Sequence, residues 1–389
     1  MSTNIQKNQI TEGIIWRQLL LFFFPILLGT FFQQLYNTID SVIVGQFVGK
    51  EALAAVGGSS AQIVAFVVGF FTGLSSGASV TIAQFFGAKD SRSANKGLHT
   101  AYAIAAFGGL ILTVSGIILT PFLLEMMNTP ADIVADSAVY LRIYFAGIIF
   151  VLIYNMGSAI LRATGDSKRP LYYLIVCCII NIVLDVLFVI VFHMGVMGVA
   201  VATLIAQAVS AVLVTLKLMR SEGILKLSVK QIRFHGSILK MQLKLGLPTG
   251  FEAILFSITN IAIQSAVNTF GTDTTAAWSA YGKLDAIFWM VSTAFGIAIT
   301  TFVGQNYGAG KMDRVRKSTR VCLLMDFIVS AVLVVFLIAA RFLLFRLFTN
   351  DSHVIEIGCD MLVLITPWYI VYVFIEVIAG ALRGVGNVV

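Results

Sequence analysis

The stretch CCIINIVLDVLFVIVFH, residues 177–193, is almost entirely apolar, yet it contains an amide and a carboxylate four positions apart, Asn181 and Asp185. The whole chain is similar, since 58% of its 389 residues are hydrophobic and only 12% are charged. Soluble domains carry about 25% charged residues. The mean hydropathy of +0.93 shows the same contrast. The composition therefore predicts an all-α integral membrane protein, with Asp185 in or near lipid.

Ten segments are long and apolar enough to cross a bilayer, which takes about 20 residues of helix. They are residues 14–44, 52–84, 98–123, 133–161, 171–192, 196–218, 243–270, 276–303, 319–345 and 354–382. Several exceed the thickness of the bilayer, so we expect them to tilt or to protrude.

Positive charge predicts the orientation of these spans. Lys and Arg collect on the cytoplasmic side of membrane proteins, and most of the 26 in this chain fall on one side when the amino terminus is placed in the cytoplasm. The net charge of +7 is thus an orientation signal, and we expect no nucleic-acid partner. The polar start followed by a long apolar run does not resemble a cleavable signal peptide. We expect a multi-pass protein of the plasma membrane.

The chain contains an internal repeat. The segment AQFFGA (83–88) resembles GQNYGA (304–309), and AILRATGD (159–166) resembles GALRGVGN (380–387), each pair at an offset of 221 positions. The first copy has six spans, an even number, so the second copy enters the membrane in the same orientation and the repeat is parallel. The second copy contains four of the six spans, so we expect the chain to be truncated by about two helices. A native ten-helix chain is the alternative, and it would leave one lobe incomplete.

The repeat predicts two lobes, one from each copy. Residues 1–220 would form an amino-terminal lobe of six spans, and residues 243–389 a carboxyl-terminal lobe of four. Residues 221–242 are basic and partly amphipathic. Such a segment is typical of a cytoplasmic linker that lies near the membrane surface.

Oxygen-bearing side chains lie at one depth on three spans of the first lobe. Asn181 and Asp185 share one face of the fifth span, because residues four apart on a helix are neighbours. The helical rise places Asp185 about 12 Å below the outer end of its span, with Asp40 and Thr203 at similar depths. A carboxylate in the membrane costs about 2.5–3.5 kcal/mol and usually faces a bundle interior or water. Two such acids can exchange a proton, and oxygen ligands also suit Na⁺.

These features together resemble the multidrug and toxic-compound extrusion (MATE) transporters. The resemblance covers essentially the whole chain and rests on the repeat, the basic linker and four motifs. The motifs are PILLGTFFQQLYNTID (25–40), AQFFGAKD (83–90), LRATGD (161–166) and NIVLD (181–185). The resemblance implies two lobes in a V shape around a central cavity, and export of drug-like compounds in exchange for a cation.

The resemblance also implies functional residues. The prokaryotic branch of the family has a cation site in its amino-terminal lobe. It uses an Asp on helix one, an Asn and an Asp on helix five, and a Thr on helix six. These types fall at Asp40, Asn181, Asp185 and Thr203, which we interpret as the cation-coupling site for H⁺ or Na⁺. The residues expected in the substrate cavity are Gln34, Tyr36, Asn37 and Asn155.

Pro25 removes a backbone donor within the first span and can kink it. The resemblance makes this proline a candidate hinge, and a static kink is the alternative. Some family members carry a second cation site in the carboxyl-terminal lobe, on helices seven and ten. Glu252 and Glu376 occupy those helices here, and Asp285 is a further acid within a span, so the three form a candidate second acidic site.

The leading hypothesis is a secondary antiporter for multidrug efflux, related to antibiotic resistance, that works by alternating access. The alternative is a lipid-linked precursor flippase of the same superfamily. An enzyme or receptor is disfavoured, because neither needs a parallel repeat and no catalytic set of residues is seen. We expect no cofactor, since the cysteines and the four isolated histidines show no metal-binding spacing. The expected partners are a small amphipathic substrate and the bilayer, and the expected state is a monomer.

Overall fold

The computed structural model describes residues 9–388, and these are almost entirely helical. The helices are α1 Gln9–Glu12, α2 Ile15–Phe47, α3 Lys50–Gly57, α4 Ser59–Gly87, α5 Ser91–Met126, α6 Val134–Ala163, α7 Lys168–Asp185, α8 Gly195–Met219, α9 Gly236–Asn268, α10 Thr272–Gly308, α11 Met312–Ala339, α12 Arg341–Arg346, α13 Ser352–Ile365 and α14 Tyr369–Val385. A π-helical segment, Val186–Val191, continues α7.

Ten membrane-spanning candidates occur among the described residues, as the sequence predicts. Two of them join a pair of consecutive helices, since α3 with α4 forms the second span and α13 with α14 the tenth. Helices satisfy the backbone N–H and C=O groups within each segment, which the lipid interior demands. The prediction of an all-α membrane protein is therefore confirmed.

Helix α9 begins at Gly236, so the last residues of the expected linker form its first turns. Leu239, Leu243 and Leu247 recur every four residues on this helix and pack against the core of the preceding helices. Lys240 and Lys244, which follow two of these leucines, are exposed. The positive charges at the start of α9 predict a linker in the sequence. The leucines on one face of this part of α9 make it an amphipathic helix.

Two of the repeated motifs end in an aspartate that accepts a hydrogen bond from the first turn of the next helix. In AQFFGAKD, the carboxylate of Asp90 accepts a hydrogen bond of 3.0 Å from the backbone N–H of Ser93 and caps α5. In LRATGD, the carboxylate of Asp166 accepts one of 3.1 Å from the N–H of Arg169. Side-chain oxygens of this kind satisfy the free N–H groups of a helix start. The aspartate of each motif therefore stabilises the start of the helix that follows it.

The chain forms two compact units, and both boundaries fall inside helices. The first unit contains the residues up to Leu27 together with Leu255–Val388, and the second contains Leu28–Ile254. The first half of α2 thus belongs with the second repeat, and the first half of α9 with the first repeat. We call these the carboxyl-terminal unit and the amino-terminal unit. The lobe boundaries expected from the repeat arithmetic stay a prediction.

The carboxyl-terminal unit holds the first half of α2 through an aromatic core. Phe23 of α2 stacks on Phe295 of α10 with ring centroids 4.0 Å apart, and Phe22 meets Phe302 edge to face at 6.0 Å. Phe295 and Phe302 are completely buried. Aromatic contacts of this kind contribute about 0.5–1.5 kcal/mol beyond the area they bury.

In the amino-terminal unit, glycines allow α4 and α9 to meet backbone to backbone. A Cβ atom at Gly77 would collide with the backbone of Gln242 and Gly246, and one at Gly73 with that of Gly250. Small residues spaced four apart let membrane helices approach closely. No other residue type fits at these positions without separating the two helices.

We expect Gly77→Ala to destabilise the protein by about 1–3 kcal/mol, because overpacking a close contact forces the backbone to shift. The thermal unfolding midpoint of the purified protein measures this effect. Gly57→Ala is the matched control, since a Cβ atom at Gly57 meets nothing within 4 Å. Equal midpoints for the two variants would contradict the close packing of α4 and α9.

Candidate functional site

The four residues expected to couple to a cation lie together inside the amino-terminal unit. Asp40 is on α2, Asn181 and Asp185 are on α7, and Thr203 is on α8. Their exposed fractions are 8%, 1%, 0% and 6%. The Asp40 carboxyl interacts with the side chains of Asp185, Asn181 and Thr203, and the Asn181 amide donates to the Thr203 hydroxyl over 3.5 Å.

This cluster has more acceptors than donors. Both carboxyl oxygens of Asp185, one of Asp40 and the amide oxygen of Asn181 accept no hydrogen bond from any described residue. An unsatisfied buried acceptor costs about 1–3 kcal/mol, and more when it is charged. Two carboxyl groups in contact can bond to each other only if one of them carries a proton. The oxygens therefore suit a proton shared by the acids, or a hard cation such as Na⁺.

Tyrosines and a glutamine surround the acid pair, and the sequence reasoning did not include most of them. Tyr140 lies near both Asp40 and Asp185, and its ring stacks on that of Tyr144. Gln207 is buried and donates from its side-chain amide to the Tyr36 hydroxyl over 3.4 Å. Gln207 follows Thr203 by four positions, so the shared helix face was a signal that could have found it.

The backbone of the fifth span changes geometry directly after Asp185. Helix α7 ends at this residue and a π-helical segment follows, in which the N–H of Phe192 donates to the carbonyl of Leu187 over 3.0 Å. Turns of this kind are rare and occur frequently at functional sites. Here the change places Asp185 at the junction between two helical geometries.

The residues expected in the substrate cavity occupy different environments. Tyr36 is buried beside Asp40, whereas Gln34 and Asn37 of the same helix are exposed and Asn155 of α6 is partly buried. Their role in substrate binding stays a prediction.

Comparison with known protein families gives a separate match for each copy of the repeat. The MatE family model matches residues 25–187 and again residues 248–389, so it matches once in each copy and covers most of the chain. The chain belongs to the MatE family of multidrug efflux transporters. It is a membrane transporter and not an enzyme.

Relatives of this MATE transporter include the probable multidrug resistance protein YoeA of Bacillus subtilis, which is 30% identical over 96% of this chain and 82% of that protein. The probable multidrug resistance protein NorM of Thermotoga maritima is 27% identical over 98% of this chain and 82% of its own length. The fold matches that of a multidrug resistance MATE family transporter of the MOP superfamily, solved in an outward-facing conformation. The TM-score is 0.91 at 22% identity, over 100% of this chain and 86% of the solved one.

The three acids expected to form a second site in this MATE transporter have different surroundings. Asp285 accepts hydrogen bonds from the Tyr369 hydroxyl and, over 2.8 Å, from the Trp289 indole. Glu376 accepts one of 2.8 Å from Arg383 and one from Tyr372. Glu252 lies in the other compact unit, on an exposed part of α9. Their function stays a prediction.

Asp326 is a further buried acid of the carboxyl-terminal unit. It is completely buried on α11, and one of its oxygens accepts a hydrogen bond of 3.1 Å from Ser330. Its other oxygen has no donor among residues 9–388. No group of three or more His, Cys, Asp or Glu side chains within the described part of the chain could hold a metal ion.

We expect Asp185→Leu to leave the thermal unfolding midpoint unchanged or to raise it. A buried carboxyl without donors costs desolvation energy, and an apolar residue of similar size removes that cost. The matched control is Gln242→Leu, which removes the 2.9 Å hydrogen bond to the Gly97 carbonyl and should lower the midpoint. A clear drop for Asp185→Leu would show that the carboxylate stabilises the fold.

Proposed function

We propose that this MATE transporter exports amphipathic, drug-like compounds by alternating access, in exchange for H⁺ or Na⁺ bound at Asp40 and Asp185. The observation that carries the proposal is the contact between these two buried carboxyls, with Asn181 and Thr203 beside them and too few donors to satisfy them. The names of YoeA and NorM supply the class of transported compound, since both are called multidrug resistance proteins.

A cation at this pair can drive export. Entry of one positive charge down the membrane potential provides about 2.3 kcal/mol per 100 mV, in addition to its concentration gradient. The binding energy of the cation becomes useful when the pair binds it more tightly in one conformation than in the other. Asp185, on the junction with the π-helical segment, and Asp40, on the helix that contains Pro25, are both placed where a change of helix geometry would alter their separation.

The distribution of Lys and Arg supports a cytoplasmic amino terminus in the plasma membrane, with H⁺ or Na⁺ entering from outside. A cation that enters the cell in this orientation is exchanged for a substrate that leaves it, so the exchange is an export reaction. It also places the linker between α8 and α9 on the cytoplasmic side.

Dye efflux from proteoliposomes, under separately imposed pH and sodium gradients, tests the coupling. We expect Asp185→Asn and Asp40→Asn to lower the gradient-driven initial rate at least tenfold, which corresponds to about 1.4 kcal/mol. The control is Asp273→Asn, because this carboxylate is half-exposed, lies 3.9 Å from His353 and belongs to the other compact unit.

The gradient that drives efflux identifies the ion. Wild-type rates in Asp185→Asn would remove the proposed site. Movement of a lipid-linked sugar in the same vesicles without dye efflux would replace the proposal with the flippase alternative.

Pro25→Ala tests the role of the first span. Pro25 lies inside α2, two residues before the boundary between the compact units. If a change of bend at this residue accompanies transport, restoring the missing backbone donor should lower the efflux rate several-fold. Cation-induced protection of the protein against thermal unfolding should persist, since Asp40 and Asp185 are unchanged. An unaltered efflux rate would assign Pro25 to a static kink.

A further inference from the structure

The connection between α8 and α9 is docked on the beginning of α5. The Asn95 side-chain amide donates to the Lys226 carbonyl over 3.2 Å. The Ser228 backbone N–H donates to the His99 ring over 3.0 Å. Leu227 between them is 2% exposed and belongs to the core of the amino-terminal unit. Residues 223–235, the part of the predicted 221–242 segment that we call the linker from here on, are therefore bound to the amino-terminal unit and do not form a free loop.

The contacts of His99 define its protonation state. Its Nδ1 lies 2.8 Å from the Asn95 carbonyl oxygen, which can only accept, so Nδ1 carries a hydrogen. Its Nε2 faces the Ser228 N–H, which can only donate, so Nε2 carries none. The ring is 1% exposed. The docked linker thus requires a neutral imidazole, because a proton on Nε2 would point at another N–H.

The contacts of His235, at the other end of the linker, also require a neutral ring. Its Nε2 accepts from the Arg233 guanidinium over 3.3 Å, which leaves Nδ1 to donate to the Thr100 hydroxyl over 3.1 Å. The His235 backbone N–H also donates to the Thr100 hydroxyl, over 3.3 Å. Burial, together with the nearby charges of Arg233 and Lys96, lowers the pKa of His235 below its usual value. The two imidazoles also lie close enough to each other for their charges to repel.

The corresponding segment of the first repeat is docked without histidines. Residues 10–13, before α2, lie against α10 and α11 in the carboxyl-terminal unit. The Ile10 carbonyl accepts a hydrogen bond of 3.1 Å from Arg314, and the Thr11 carbonyl accepts one of 3.0 Å from Lys311. Guanidinium and ammonium groups keep their charge over the pH range in which imidazole titrates. Each repeat therefore has a bound segment before its first long helix. The binding of residues 10–13 does not depend on histidine.

We propose that the linker is a pH-responsive latch, docked on α5 while His99 and His235 are neutral and released when they take up protons. The docked state binds fewer protons than the released state, so docking weakens as the pH falls. The linker joins the two repeats, so its release lengthens the free connection between them. The latch does not depend on which ion drives transport.

Hydrogen exchange of the purified transporter, measured by mass spectrometry at pD 7.5 and 5.5 and corrected for the intrinsic rate, tests the latch. We expect the linker amides, including that of Ser228, to lose protection at least about tenfold at the lower pD, since local release exposes them. Peptides that cover residues 10–18 are the internal reference and should keep their protection. Equal protection of the linker at both values overturns the proposal.

His99→Gln separates the effect of the proton from that of the side chain. A glutamine oxygen can accept the Ser228 N–H near the position of Nε2, and it does not titrate. We expect His99→Gln combined with His235→Gln to keep the linker protected at pD 7.5 and to lose most of the pD dependence. His353→Gln is the control, because this ring is exposed, and it should respond like the parent.

Asn95→Ala covers the case in which the histidine variants do not fold. It removes the donor to the Lys226 carbonyl without changing a titratable group. Linker protection should therefore fall by the same factor at both pD values, and the parent's pD dependence should remain. A glutamine double variant that retains the parent's full pD dependence, or an Asn95→Ala variant that loses it, overturns the latch.

Discussion

Asp40 and Asp185 meet inside a helical bundle that offers them few hydrogen-bond donors, and lipid provides no water to replace those donors. Helix α2, the π-helical segment after α7 and helix α8 share an apolar core that contains Ile43, Val189 and Val196. The pair is therefore kept at an energetic cost that packing elsewhere must offset. A group retained under such conditions is typical of a functional site. Tyr140 and Tyr36 lie beside the pair.

The acids of the carboxyl-terminal unit provide a contrast. Asp285 and Glu376 each have donors from aromatic or basic side chains, so their charges are stabilised within the protein. Asp185 has no such donors among residues 9–388. Two copies of one repeat have thus acquired different polar interiors, and the difference favours the first copy as the place where a mobile cation binds. Asp326, one of whose oxygens has no donor in the described part of the chain, is the acid of the second copy that most resembles Asp185.

Exchange of segments between the repeats is the second organising feature. Each compact unit contains the beginning of the other copy, residues 10–27 in one case and the linker with the start of α9 in the other. Close glycine contacts hold α9 and aromatic stacking holds α2, so the same exchange is achieved with different chemistry. The ends that precede the exchanged helices also differ, since charged side chains bind one and neutral imidazoles bind the other. Divergence of the copies therefore allows one connection to respond to pH while the other stays fixed.

The sequence by itself determined the membrane class, the ten spans, the parallel repeat and the family, because hydropathy, length and a constant offset are one-dimensional properties. It also predicted that Asp40, Asn181, Asp185 and Thr203 lie at one depth, since the helical rise converts position into height. Only the tertiary structure decided which helices are neighbours, and therefore that Gln207 and Tyr140 border the pair. The pairing of His99 with Ser228, 129 positions apart, likewise depends on long-range packing, so two histidines that are isolated in the sequence lie at one docking site in the fold.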